Sequence, residues 1–193
     1  MEEKLKKEVM EYQFLLQTAY SDTDCIIHGP AHVARVLYLS LVIADKEEIL
    51  DQHIRKMLAI AAILHDCGRK TDASEPDHGR KSAELAERLC GKNPQILDME
   101  FSEKEVEIIY TLIKYHSLPD ELGIYEIENF LPEQKELAMH LFQILKDADG
   151  LDRVRLKGTT GETNLLYLRL ASSKTLLPLS ERMYKEHWET LLL

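Results

Sequence analysis

No apolar run in this chain approaches the roughly 20 residues that a helix needs to cross a bilayer. The opening residues, Met1-Glu-Glu-Lys-Leu-Lys-Lys-Glu8, carry both signs of charge where a secretory leader is apolar. The chain is therefore expected to be cytoplasmic, with no membrane partner. Cysteine is scarce: Cys25, Cys67 and Cys90 are odd in number and lack CxxC spacing, which excludes a disulfide framework or a zinc finger and suits a reducing compartment. Positive charge is in deficit, with 24 basic residues against 34 acidic and a net charge of −10. Such a surface repels phosphate backbones, so a nucleic-acid polymer is excluded as a partner. Glycine and proline are few, at 8 and 6, and no segment sustains the period-two alternation of a half-buried strand. Repeats, low-complexity tracts and interdomain linkers are also missing.

What is present is helical periodicity almost throughout 193 residues, a length that fits one domain with its own core. The expected fold is an all-α, single-domain bundle of seven to nine helices spanning 1–193. A first helix is expected over about 2–20, broken by Ser21-Asp-Thr-Asp24. A second begins at Pro30, which suits a first helical position, and runs to about Ala44. The third, about 52–66, contains Met57-Leu-Ala-Ile-Ala-Ala-Ile-Leu64. A helix with no polar face is a buried one, so it is expected at the centre, with Gly68 as the residue that ends it. A fourth is expected to open near Ser74 to Asp77 and to run to about Cys90. Ser102-Glu-Lys-Glu105 is a capping box for a fifth, to about His116. Residues 117–133 read as a loop with a short helix and as a candidate lid. A long helix follows over about 132–152, then a basic glycine-containing loop over 153–161, and a last helix over about 180–192.

His65-Asp66 ends the most buried helix. A carboxylate there needs a cation, either a side chain or a metal; a His–Asp hydrogen bond sealing a helix end is the plainer account. The long helix offers a test. With Leu145 at zero and about 100° per residue, Asp149 lies near +40° inside the apolar arc, and Asp147 near 200° on the solvent side. Asp152 returns to about −20° if the helix continues through Gly150. Asp149 thus points inward, toward either a metal or an ion pair with Arg35, Arg69 or Arg153. His32 opens the second helix; His78 and His116 extend the apolar stripes of the fourth and fifth. Four inward histidines with inward aspartates form a donor set suited to Mn²⁺, Fe²⁺, Co²⁺, Ni²⁺, Zn²⁺ or Mg²⁺. Cys67 is expected to be packing. His53, His140 and His187 show no such placement and are expected at the surface.

The order His32, His65-Asp66, Asp149 resembles the H…HD…D signature of the HD superfamily. The resemblance is carried by His28-Gly-Pro-Ala-His32-Val-Ala-Arg-Val36, Ala61-Ala-Ile-Leu-His-Asp-Cys-Gly-Arg69 and Ile144-Leu-Lys-Asp-Ala-Asp-Gly-Leu-Asp152, over about residues 26–156. It implies a metal-dependent phosphohydrolase acting on a small phosphorylated substrate such as a nucleotide. The metal would be held by His32, His65, Asp66 and Asp149, with Asp66 and His65 catalytic. His78 and His116 would serve a second metal or the substrate, although members with two metals often carry a paired His-His where this chain has single histidines. Phosphate contacts would come from His28, Arg35, Arg69 and Arg153. Two other readings remain open: a di-iron oxygenase, and a non-catalytic nucleotide- or metal-binding module. The apolar tail near Trp188 would pack on the body or bury a homodimer contact.

Overall fold

The computed structural model describes residues 3–21, 23–92, 101–159 and 161–191. Ten α-helices run through them in the order α1 (Glu3–Glu11), α2 (Gln13–Ala19), α3 (Pro30–Lys46), α4 (Gln52–Leu64), α5 (His78–Lys92), α6 (Glu103–Tyr115), α7 (Asp120–Phe130), α8 (Lys135–Asp152), α9 (Ala171–Lys174) and α10 (Leu177–Lys185). Short 3₁₀ turns link the later ones, and no strand occurs among the described residues. The all-α expectation holds, and no described helix is long and apolar enough to cross a membrane.

Helix α4 is the axis of the core. Met57 through Leu64 are all buried, and α4 touches α2, α3, α5, α6 and α8. Asp51 starts it by accepting from the backbone N–H groups of His53 and Ile54. The Ser102–Glu105 capping box opens α6 as its spacing predicts, and Pro30 is the first residue of α3. Gly150 does not end α8, which runs on to Asp152.

Several expectations need correction. The first helix is two, because Tyr12 breaks it. The first piece lies on α3 and the second on α3 and α4, two directions that one straight rod cannot serve. The segment over 117–133 is more ordered than a loop: α7 packs Gly123 against the Phe142 ring and buries Ile127. Asp147 is not on a solvent face. It is fully buried, because residues 168–170 fold over that side of α8 and supply the Arg169 guanidinium and the backbone N–H groups of Arg169 and Leu170. The last helix is shorter than expected, ending at Lys185 and followed by a turn over Trp188–Leu191. Trp188 is buried against Tyr38 of α3, so this part of the tail packs on the body. Leu192 and Leu193 lie outside the described residues.

Two glycines are required by close approach. Gly68 does not cap α4; a Cβ there would lie 2.4 Å from the Ser82 backbone nitrogen. A Cβ on Gly79 would lie 2.6 Å from the Lys114 carbonyl oxygen, so only glycine lets the start of α5 sit on the end of α6. Gly79→Ala forces those ends apart. It is expected to cost about 1–3 kcal/mol in urea-unfolding stability and to lower activity beyond what the stability loss explains, since His78 moves with the helix.

Candidate functional site

The site is assembled from helix ends. His32 lies in the first turn of α3, His65 follows the last residue of α4, His78 opens α5, His116 follows α6, and Asp149 and Asp152 fall in the last turn of α8. Three of these five ends are C-termini, whose unpaired carbonyls favour a cation nearby.

Each histidine is locked through Nδ1. His65 donates from Nδ1 to the Ala62 carbonyl at 2.7 Å, His116 to Ile113 at 2.7 Å, and His78 to Glu75 at 2.5 Å. His32 donates to the Asp152 carboxylate at 2.7 Å. A carbonyl or carboxylate only accepts, so all four rings carry a proton on Nδ1, and in a neutral ring Nε2 is then a lone pair. Those Nε2 atoms converge. His32 and His65 Nε2 are 3.2 Å apart, and His78 and His116 Nε2 are 3.0 Å apart. Two acceptors at such distances repel unless a proton or a metal ion sits between them.

Asp66 joins the two pairs. Its Oδ2 lies 3.6 Å from both His32 and His65 Nε2, and its Oδ1 lies 3.3 Å from His78 and 3.6 Å from His116. Asp149 Oδ1 completes the first group at 3.4 Å from His32 Nε2. Two sets of donor atoms are therefore close enough to ligate one ion each: His32, His65 and Asp66, and Asp66, His78 and His116. The Asp66 side chain is 3% exposed, yet Oδ1 has no hydrogen-bond partner. Arg69 Nε lies 3.7 Å from it, an ion pair beyond hydrogen-bond reach, and a buried carboxylate oxygen without a hydrogen bond is costly.

The electrostatics match. Burial pushes the Asp66 carboxyl upward, but His65, His116 and His32 outweigh it and hold it well below the usual carboxylate range. Asp149 is likewise held low by His32 and His65 against its burial. Burial pushes His65 down to about 3 and, with His116, lowers His78, so both rings are neutral at ordinary pH. His32 goes the other way: burial and Arg155 oppose a charge, but the Asp152 and Asp66 carboxylates prevail. The ring is in a place that favours positive charge. Burial raises the Cys67 thiol to about 12, in keeping with a packing role.

Of the phosphate-contact expectations, Arg35 is a correction. It is buried and forms a two-pronged pair with Asp152, Nε to Oδ1 at 2.6 Å and Nη2 to Oδ2 at 3.1 Å, behind His32. Its role is to fix the carboxylate that fixes His32. Asp152 thus anchors His32 from behind. Asp152→Asn removes the charge that favours the Nδ1–H tautomer of His32. A drop of about 10–100-fold in metal affinity is expected, read by titration with Mn²⁺.

His28, Arg69 and Arg153 do line the cavity into which Asp66, His78, His116 and Asp149 open, a space of about 940 Å³. Asp72 accepts from the backbone N–H groups of Ile26, Ile27 and His28 and pairs with His28 Nδ1 at 3.3 Å. His28 Nε2 then meets Arg69 Nη2 at 3.3 Å. Burial drives His28 down to about 4, so it is a neutral acceptor for that guanidinium. Arg69 is buried, and its Nε and Nη1 have no hydrogen-bond partner. Arg155, Lys146 and Arg169 also line the cavity, and sequence reasoning missed them as part of it. Arg155 was legible as the residue three beyond Asp152, to which it pairs at 3.5 Å. Arg169 had no local signal, since it reaches the site only through the chain's fold-back.

No curated protein and no solved structure matches the chain. The family comparison overturns the expected HD membership: the family model that matches is the SidE phosphodiesterase (PDE) domain, and no HD model does. The H…HD…D order is four residues on three helices and reports a donor set, whereas a family model weighs the whole sequence between them. The match covers residues 25–187, more than four fifths of the chain, and the chain belongs to the SidE phosphodiesterase domain family, whose reaction is phosphoester hydrolysis.

Proposed function

We propose that this chain is a metal-dependent phosphodiesterase that binds divalent ions at two adjoining positions, one against His32, His65, Asp66 and Asp149 and one against Asp66, His78 and His116. The observation that carries this reading is the Asp66 carboxylate: each oxygen faces a pair of imidazole Nε2 atoms, and Oδ1 is buried without a hydrogen bond, with the cationic Arg69 Nε 3.7 Å away. Neutral imidazoles and carboxylates are donors suited to Mn²⁺, Fe²⁺, Co²⁺, Ni²⁺, Zn²⁺ or Mg²⁺. Bound there, such an ion lowers the pKa of a water and offsets charge on the phosphoryl oxygens.

The remaining chemistry belongs to the chain. Asp66, kept ionised among these histidines, would orient a water by accepting a hydrogen bond from it. Arg69, with Nε 3.7 Å from Asp66 Oδ1 and Nη2 against His28, puts a fixed positive charge beside the cavity, where a phosphoryl oxygen would be attracted. Arg155 and Arg153 add positive charge along the same wall. Asp149, kept ionised, supports His32 and His65. The cavity volume suits a small phosphodiester such as a nucleotide.

The test is hydrolysis of bis(p-nitrophenyl) phosphate before and after chelation with EDTA, followed by restoration with Mn²⁺. Activity is expected to fall more than about 100-fold and to return with the ion. Chelator-insensitive hydrolysis removes the metal from the account. Absence of diester hydrolysis with every divalent ion removes the reaction.

A further inference from the structure

We propose that Tyr167 and Leu166 are specificity-determining residues, forming a shelf at the cavity mouth that binds a flat aromatic ester group of the phosphodiester. The inference rests on the phosphodiesterase reading of the cavity and adds what the non-phosphate part of the substrate must be.

Exposure alternates sharply along the segment that carries them. Leu168 is 4% exposed, whereas Leu166 and Tyr167 are 87% and 73% exposed. Both line the same cavity as Asp66, His116 and Arg69. Large apolar groups in solvent are ordinary on a floppy loop, but this segment is tied down. Asn164 Oδ1 accepts from the Leu166 N–H at 3.0 Å and closes the turn. The buried Asp147 carboxylate accepts from the Arg169 and Leu170 backbone N–H groups at 2.9 Å each. The Arg169 guanidinium then bridges to Asp120 at the start of α7, at 2.7 and 2.9 Å. Thr163 is fastened to α8 through the Gly150 carbonyl.

The fold therefore fixes the backbone that presents two apolar side chains at the edge of a polar cavity, and nothing in the described residues covers them. The two ends of the cavity differ in chemistry. Arg69 and the His/Asp cluster suit the phosphoryl group, whereas a phenol ring beside a leucine suits a planar π-system by stacking and apolar contact. A phosphodiester whose ester group carries a flat aromatic ring, directly as in an aryl ester or through a sugar as in a nucleoside ester, matches both ends at once.

The experiment measures binding rather than turnover. Calorimetry compares diphenyl phosphate with diethyl phosphate, two monoanions that differ in the flat ring, on the Mn²⁺-loaded wild type, Tyr167→Ala and Tyr167→Phe. The wild type is expected to bind the diphenyl ester roughly ten-fold more tightly. Tyr167→Ala abolishes that preference while leaving diethyl phosphate affinity unchanged, and Tyr167→Phe keeps it. A preference that survives in Tyr167→Ala, or no preference in the wild type, overturns the shelf. Set beside the bis(p-nitrophenyl) phosphate assay, preference without turnover would defeat the phosphodiesterase reading and leave the shelf standing, while turnover without preference would do the opposite.

Discussion

Asp66→Asn is expected to abolish diester hydrolysis while leaving the protein folded. The substitution keeps the shape of the side chain and removes the charge that both histidine pairs face. Loss of a residue that merely supports a metal ligand costs about 10–100-fold; Asp66 faces both histidine pairs, so the loss should exceed that range. Stability is expected to fall as well, by less than unfolds the protein. Despite its burial, a carboxylate that the surrounding histidines hold well below its usual range is favoured by the fold in its ionised form, and the amide leaves the Arg69 guanidinium without that charge. Rate assays with Mn²⁺, run beside thermal unfolding without metal, separate the two effects. A variant that keeps more than about a tenth of wild-type activity would show that Asp66 is not at the reacting centre.

Arg55→Ala is expected to produce the largest stability loss of any single substitution outside the site. The Arg55 side chain is buried on α4, two residues before the apolar run. It donates to both oxygens of Glu8 on α1, at 2.7 and 2.8 Å, to Asp45 at the end of α3 at 2.6 Å, and to the Ile49 carbonyl at 3.1 Å. One guanidinium thus ties three helices. Removing one member of a buried ionic cluster leaves the other charges without partners, at a cost of about 3–5 kcal/mol. For a chain of this length that corresponds to a fall in melting temperature of roughly 6–20 °C. Urea unfolding gives the free energy directly. A loss below about 1 kcal/mol would mean that the cluster is solvated and contributes as a surface pair does.

The ways in which the sequence was and was not legible follow the same division. Local signals were sound: the apolar run of α4, the proline that starts α3 and the Ser102 capping box each fix their elements through bonds within a few residues. The donor set was visible because His32, His65, His78, His116 and Asp149 each sit on an inward stripe or at its end. Their partition about Asp66 was not visible, since it depends on α5 lying against α6 through Gly79, and no periodicity announces a helix crossing. Asp147 and Arg169 show the limit most clearly. A helical wheel sends Asp147 outward, and only the return of residues 168–170 over α8 makes that face an interior one. Arg35 was misread for a related reason: its spacing from His32 was correct, but the wheel does not show Asp152 arriving on the same side. Family membership lay beyond a short signature, because the histidines and aspartates that resemble one family occupy a chain whose whole sequence belongs to another.

The central claim is that the two histidine pairs hold metal on either side of Asp66. Elemental analysis of protein loaded with Mn²⁺ and freed of excess ion tests it most directly. Two equivalents per chain are expected for the wild type, and one for the His78→Ala/His116→Ala double variant, which keeps His32, His65, Asp66 and Asp149. A wild type that retains no metal, or a double variant that retains as much as the wild type, would contradict the account.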